Sequence, residues 1–211
     1  MNGHMKPADI EKRSFAIITE ELGGRTFPEG VAEVVKRVIH TSADFDYADN
    51  LCFSPDAVEQ AKAALEAGAT IVTDTNMALA GISKPTLAKL GGKAVCLMAD
   101  EAVAREAKAR GVTRATVSME HAAKLDGPLI FAIGNAPTAL IRLHELIREG
   151  AVSPALVIGV PVGFVNVVES KELFIGGDTP YIIARGRKGG SNVAAAIVNA
   201  LLYQIIKREG F

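Results

Sequence analysis

Cysteine is scarce: Cys52 and Cys96 are the only two in 211 residues. They stand far apart, each between apolar neighbours, and no CxxC pair occurs. That excludes a disulfide framework and argues against a zinc or iron–sulfur site; two buried thiols in a reducing compartment are expected instead. Charge of one sign is also missing. The 23 Lys and Arg residues balance 24 Asp and Glu residues for a formal net charge of −1. The basic excess of a nucleic-acid binder or an anionic-membrane binder is therefore absent. No apolar run is long enough to span a bilayer, and no signal-peptide pattern opens the chain. No Pro- or Ser-rich linker, internal repeat or low-complexity segment interrupts it. A cytoplasmic protein without nucleic-acid or membrane partners is expected.

What is present is the composition of a globular chain, with 49% hydrophobic and 22% charged residues. At this length a fold buries roughly 70% of its unfolded surface and needs no disulfide or metal staple. Met1-Asn2-Gly3-His4-Met5 reads as a cloning scar before a native start at Met5. His4 is accordingly set aside, and residues 6–211 are read as a single domain.

The N-terminal part is helical by pattern. Residues 7–22 carry Ile10, Phe15, Ile17, Ile18 and Leu22 and stop at Gly23-Gly24. Val31, Val34, Val35 and Val38 recur at i, i+3, i+4, i+7, and Ile39 widens this stripe. Ser54-Pro55 reads as a cap with proline at the first helical position, opening a helix that runs to Gly68. Beyond that, short apolar runs at 70–73, 93–98, 129–133, 155–160 and 181–184 alternate with helical stretches at 100–110, 137–148, 164–173 and 191–207. Strands that are apolar throughout and separated by helices predict an α/β fold. The expectation is a mainly parallel five-stranded sheet with helices on both faces and a helical N-terminal part.

Ligands of open α/β sheets bind beyond the carboxyl ends of the strands. The segments there are Asp74-Thr-Asn76-Met, Gly134-Asn135-Ala-Pro-Thr138, Pro161-Val-Gly163-Phe, and Arg185-Gly-Arg187-Lys-Gly189-Gly190-Ser191. Three contain glycine, which lets a ligand approach the backbone, and helix N-termini offer N–H groups to anions. None is GxxxxGK[ST], and none is GxGxxG after the first strand, so a nucleotide is weakly supported. The basic residues suit carboxylates or phosphates. Each loop taken singly is equally a tight strand-to-helix turn. Several at one sheet edge point to a site.

Among the histidines, His144 reads as a partly exposed helix residue, and His121 gives no further signal. His40 ends the valine-striped helix and precedes Thr41-Ser-Ala-Asp44-Phe-Asp46. A helix C-terminus and nearby carboxylates favour its protonated form, which would make it a general acid. A histidine that only stabilises the helix end fits the same position. No GxSxG elbow or HExxH is present, which leaves hydrolase chemistry little support.

Seven segments in order carry a resemblance. They are Arg13-Ser-Phe-Ala-Ile-Ile18, Val38-Ile-His-Thr-Ser-Ala-Asp44, Phe53-Ser-Pro55, Asp74-Thr-Asn-Met77, Gly134-Asn-Ala-Pro-Thr-Ala-Leu140, Gly159-Val-Pro-Val-Gly-Phe-Val165 with Glu169-Ser-Lys171, and Gly186-Arg-Lys-Gly-Gly-Ser191. Together they resemble the precorrin-8X methylmutase family, including its cobalt-precorrin-8 members. The resemblance implies an α/β homodimer with interfacial active sites. It implies an isomerase of cobalamin biosynthesis that moves a methyl group from C-11 to C-12 of the corrinoid, giving hydrogenobyrinic or cobyrinic acid. The family's catalytic histidine falls on His40, its macrocycle-contacting arginine on Arg114, and a serine near the ligand on Ser14. Position in the loops adds Thr41, Asp74, Asn76, Asn135, Thr138, Gly163, Arg187, Gly189, Gly190 and Ser191 as substrate-binding candidates. The His-Thr-Ser-Ala-Asp string lies nearer the cobalt branch.

These implications agree with the residues. A substrate rich in carboxylates accounts for basic loops without a nucleotide fingerprint. An intramolecular methyl shift needs no cofactor, and cobalt would enter only within the substrate. The mean hydropathy of +0.23 suits a self-associating chain. The competing expectation is a non-catalytic tetrapyrrole carrier, which would share the loops but have no need of His40.

Overall fold

The computed structural model describes residues 6–207; the proposed scar and His4 lie outside them. In chain order the elements are α1 (Pro7–Leu22), α2 (Val31–Ser42), α3 (Tyr47–Asn50), β1 (Leu51–Phe53), α4 (Ala57–Glu66), β2 (Thr70–Thr73), α5 (Asn76–Gly81), α6 (Lys84–Lys89) and β3 (Lys93–Cys96). There follow α7 (Glu101–Arg110), α8 (Arg114–Ala122), β4 (Leu129–Ile133), α9 (Pro137–Arg148), β5 (Leu156–Gly159), α10 (Val167–Glu172), β6 (Tyr181–Ala184) and α11 (Ser191–Ile205).

One sheet of order β1-β6-β5-β4-β2-β3 forms the centre. All pairs are parallel except β1 against β6. The fold class is as expected, but the sheet has a sixth, antiparallel edge strand. Leu51-Cys-Phe53 is too short to show a period and ends at Ser54-Pro55, so only its pairing with 182–184 defines it.

Alternate strand residues face opposite layers. Ile71, Ile130, Ala132, Leu156, Ile158, Ile182 and Ala184 join the stripe of α2 and the apolar faces of α1, α4 and α11. Val72, Leu129, Phe131, Ile133, Val157, Tyr181 and Ile183 join α8 and α9 on the other side. The helix α11, flanked by α2 and α5, packs across the first face. Gly81 in α5 permits this approach, since a Cβ there would stand 2.8 Å from the Cβ of Ala195.

Two local expectations are corrected. Ser54 does not cap α4: its hydroxyl accepts the N–H of Tyr181 at 2.9 Å. The helix starts two residues later than proposed, after Asp56 in a left-handed conformation (φ 54°). Both cysteines are half-buried rather than buried. Partial burial still pushes the Cys52 thiol upward, away from reactivity.

Candidate functional site

Strand β2 has β3 on one side and β4 on the other, so the sheet's connections reverse between β2 and β4. Such a switch point opens a crevice at the carboxyl edge, where ligands usually bind. Here the chain fills it. Asp74, 1% exposed, accepts the N–H of Gly134 at 2.9 Å on one carboxylate oxygen. Its other oxygen accepts Asn135 at 2.8 Å and Ala136 at 2.6 Å. Burial pushes the Asp74 carboxyl upward, and the three N–H groups oppose this. The expectation that these N–H groups await a ligand anion is therefore corrected, because the anion is Asp74 itself. Asn76 and Asn135 remain exposed on either side.

The other loops at this edge are tied together in the same way. Thr75 caps α5 by accepting the N–H of Ala78, and its hydroxyl lies 2.7 Å from that of Ser191. The Gly163 N–H donates to the Arg187 carbonyl at 3.1 Å, and that of Gly190 to the Val160 carbonyl at 2.8 Å. At Gly189 a Cβ would stand 2.1 Å from the Val160 oxygen, closer than any side chain tolerates. The glycines thus serve contact between loops. Beneath the 185–190 segment the fully buried Lys171 of α10 donates to the carbonyls of Gly186 at 2.8 Å and Lys188 at 2.9 Å. Burial pushes its amine down to about 8.

His40 is exposed near the end of α2, which Ala43 closes in a left-handed conformation (φ 54°). Its imidazole stacks on Phe15 of α1 at 5.1 Å between ring centres. Arg37 also approaches Phe15, its guanidinium carbon 4.7 Å from the ring centre. Two hollows meet at His40. One, about 480 Å³, is walled by Arg37, Thr41, Ser83, Asn192 and Tyr203 among others. The other, about 210 Å³, contains Ser14, Ile17, Ala43 and Phe45. Ser14 is half-buried, and its hydroxyl donates to the Ile10 carbonyl at 2.9 Å.

The carboxylates expected to act on His40 are engaged elsewhere. Asp44 and Asp46 each accept a hydrogen bond from the Lys188 amine at 2.6 Å. That amine holds the Asp44 carboxyl below its ordinary range. The same contacts join the segment that follows α2 to the loop after β6, a connected rim with His40 on one element and Arg187 on the other, although Arg187 walls neither hollow of His40. Arg187 is exposed and lies over the Phe164 ring, 5.4 Å from its centre. Arg114 is exposed at the start of α8, which reaches the same edge through the Thr113–Thr138 hydroxyl contact of 3.1 Å. It does not wall either hollow of His40.

Sequence reasoning did not single out Phe15, Lys171 or the Lys188–Asp44–Asp46 contacts as parts of the site. Lys171 ends the Glu169-Ser-Lys171 string of the resemblance, but nothing in Glu-Ser-Lys reports burial. Among the described residues no group of three His, Cys, Asp or Glu side chains is placed to ligate a metal.

A family model described as precorrin-8X methylmutase matches residues 9–204. A cobalt-precorrin-8 methylmutase of Salmonella typhimurium is 48% identical over 206 residues, covering 95% of this chain and 96% of its own. A precorrin-8X methylmutase of Pseudomonas aeruginosa is 42% identical over 195 residues, covering 91% of this chain and 93% of its own. The solved precorrin-8X methylmutase from Thermus thermophilus superposes with a TM-score of 0.83 at 41% identity, covering 92% of this chain and 95% of that one.

Proposed function

The chain belongs to the precorrin-8X methylmutase family, and from that premise we propose how its own residues carry the isomerisation. The reaction moves a methyl group from C-11 to C-12 of the corrinoid ring, within one molecule. No electron pair leaves the substrate and no group is exchanged with solvent. This reading therefore gives the protein no cofactor of its own; cobalt, where present, is part of the substrate. The cobalt-containing ring is the favoured substrate, supported by the His40–Asp44 string and by the 48% identity to the Salmonella enzyme.

The observation that carries the reading is the placement of His40. It is an exposed imidazole at a helix C-terminus, stacked on one face and bordering two hollows that contain Ser14, Thr41 and Asn192. As imidazolium it hydrogen-bonds a ring nitrogen while the methyl migrates and draws electron density from the ring. General-acid help of this kind contributes roughly 10²–10⁴-fold. Because the N–H groups at the switch point are occupied by Asp74, recognition of peripheral carboxylates falls to exposed side chains. Arg187 and Arg114 are the cations for this task, with Asn76, Asn135 and Thr138 as neutral partners. Asp74, Gly163, Gly189, Gly190 and Ser191 shape the loops.

A homodimer is part of the same reading. Met77 is 72%, Phe164 80% and Val165 78% exposed, all following strands at the carboxyl edge. Apolar side chains this exposed beside a candidate site suit coverage by a second copy.

The test is the visible spectrum of wild type and His40→Ala mixed with cobalt-precorrin-8 and, separately, precorrin-8X. Conversion by wild type alone, with the variant still binding, is expected. An unchanged kcat in His40→Ala would remove the acid role. Binding without conversion by both proteins would leave a carrier of the product.

A further inference from the structure

Lys171 presents a physical problem that the reaction does not explain. Its side chain is 0% exposed, and its amine is met by two carbonyl oxygens rather than by a carboxylate. A buried charge opposed only by dipoles is costly, and an apolar residue of similar size usually packs at least as well. Complete burial also prevents the amine from touching substrate. What the amine does is fix backbone: the two carbonyls, of Gly186 and Lys188, bracket Arg187. That segment is also held by the Gly163 and Gly190 hydrogen bonds and by the seat of Gly189 against Val160. Lys188 then reaches outward from it to Asp44 and Asp46, four and six residues beyond His40.

The geometry points to Lys171 and Lys188 as positioning residues that fix the 185–190 segment, with Arg187, against the end of α2, with His40. The inference rests on the functional reading above, in which Arg187 meets a substrate carboxylate and His40 is the acid. Lys171 sets the path of the segment from beneath. Lys188 transmits that path to α2, so that the anion-binding cation and the acid keep one spacing. Neither lysine is a catalytic residue.

The experiment uses the full chain with Lys171→Met and, separately, the double variant Asp44→Asn/Asp46→Asn. Amide hydrogen exchange at Gly163 and Gly190 reports the segment without substrate, and KM and kcat for cobalt-precorrin-8 report its consequence. Lys171→Met is expected to speed exchange at both amides and to raise KM roughly 10–100-fold, with a smaller fall in kcat. The aspartate variant separates positioning from simple charge. Removing two negative charges near the site would by charge alone tighten binding of a polycarboxylate, whereas loss of the anchor raises KM. Unchanged exchange in Lys171→Met, or a lower KM in the aspartate variant, overturns the inference. Should Lys171→Met not fold, the aspartate variant, altering side chains at the molecular rim, decides alone. A wild-type chain that converts neither corrinoid would count against the functional reading, and the exchange data would still judge the two lysines.

Discussion

Two buried ionisable side chains hold backbone in opposite senses, and each invites a measurement. Asp74 gathers three N–H groups at one turn. Replacing it by alanine leaves the buried Gly134 donor and two partly buried ones without their partner, and a loss of roughly 3–5 kcal/mol in urea denaturation is expected. Lys171 gathers two carbonyls, and its amine is held down to about 8 against an ordinary 10.5. Between those values the unfolded chain binds more protons than the folded one, so this residue makes unfolding free energy rise as pH increases from about 8 to 10.5. Denaturation curves across that interval should show the rise in wild type and lack it in Lys171→Met. His40 offers a contrast. Its position at a helix end was legible from the valine stripe before it, whereas its stacking on Phe15 depends on how α1 crosses α2 and left no sequence trace.

At the scale of elements, the loops at the carboxyl edge act as one body. Their glycines were legible as special positions, but the reason read from the sequence, approach of a ligand, differs from the reason found, approach of another loop. Gly189 makes this testable. An added Cβ would meet the Val160 oxygen at 2.1 Å, so Gly189→Ala must displace the segment. A destabilisation of about 1–3 kcal/mol by denaturant titration is expected, the usual cost of forcing an extra methyl into a packed place. Weaker corrinoid binding should accompany it. The same lesson applies to α4: Ser54-Pro55 has the composition of a helix start, yet the serine hydroxyl is drawn to Tyr181, 127 residues away. A cap motif states what a side chain can do locally, and a better-placed N–H across the sheet decides whether it does.

For the whole molecule, the exposed Met77, Phe164 and Val165 lie on the same edge as the rim that joins His40 to Arg187. The proposed dimer should therefore be separable from the fold. Phe164→Asp places a charge on a side chain that is 80% exposed, so the fold should be little changed. Sedimentation at micromolar concentration is expected to show a dimer for wild type and a monomer for this variant. A wild-type monomer would contradict the interfacial arrangement.

Fold class, most strands and the apolar stripe of α2 were determined by the sequence alone, because each depends on residues within a few positions of one another. The periodicity of Val31 to Ile39 and the wholly apolar strands leave little freedom of interpretation. Tertiary structure decided what depends on distant partners. It paired Leu51–Phe53 with β6, turned Asp74 from a candidate ligand contact into the anion that fills the switch point, and gave Asp44 and Asp46 to Lys188. A polar side chain finds its lowest free energy with whichever donor or acceptor the fold brings within about 3 Å. That neighbour can be more than a hundred residues away, where no local pattern records it.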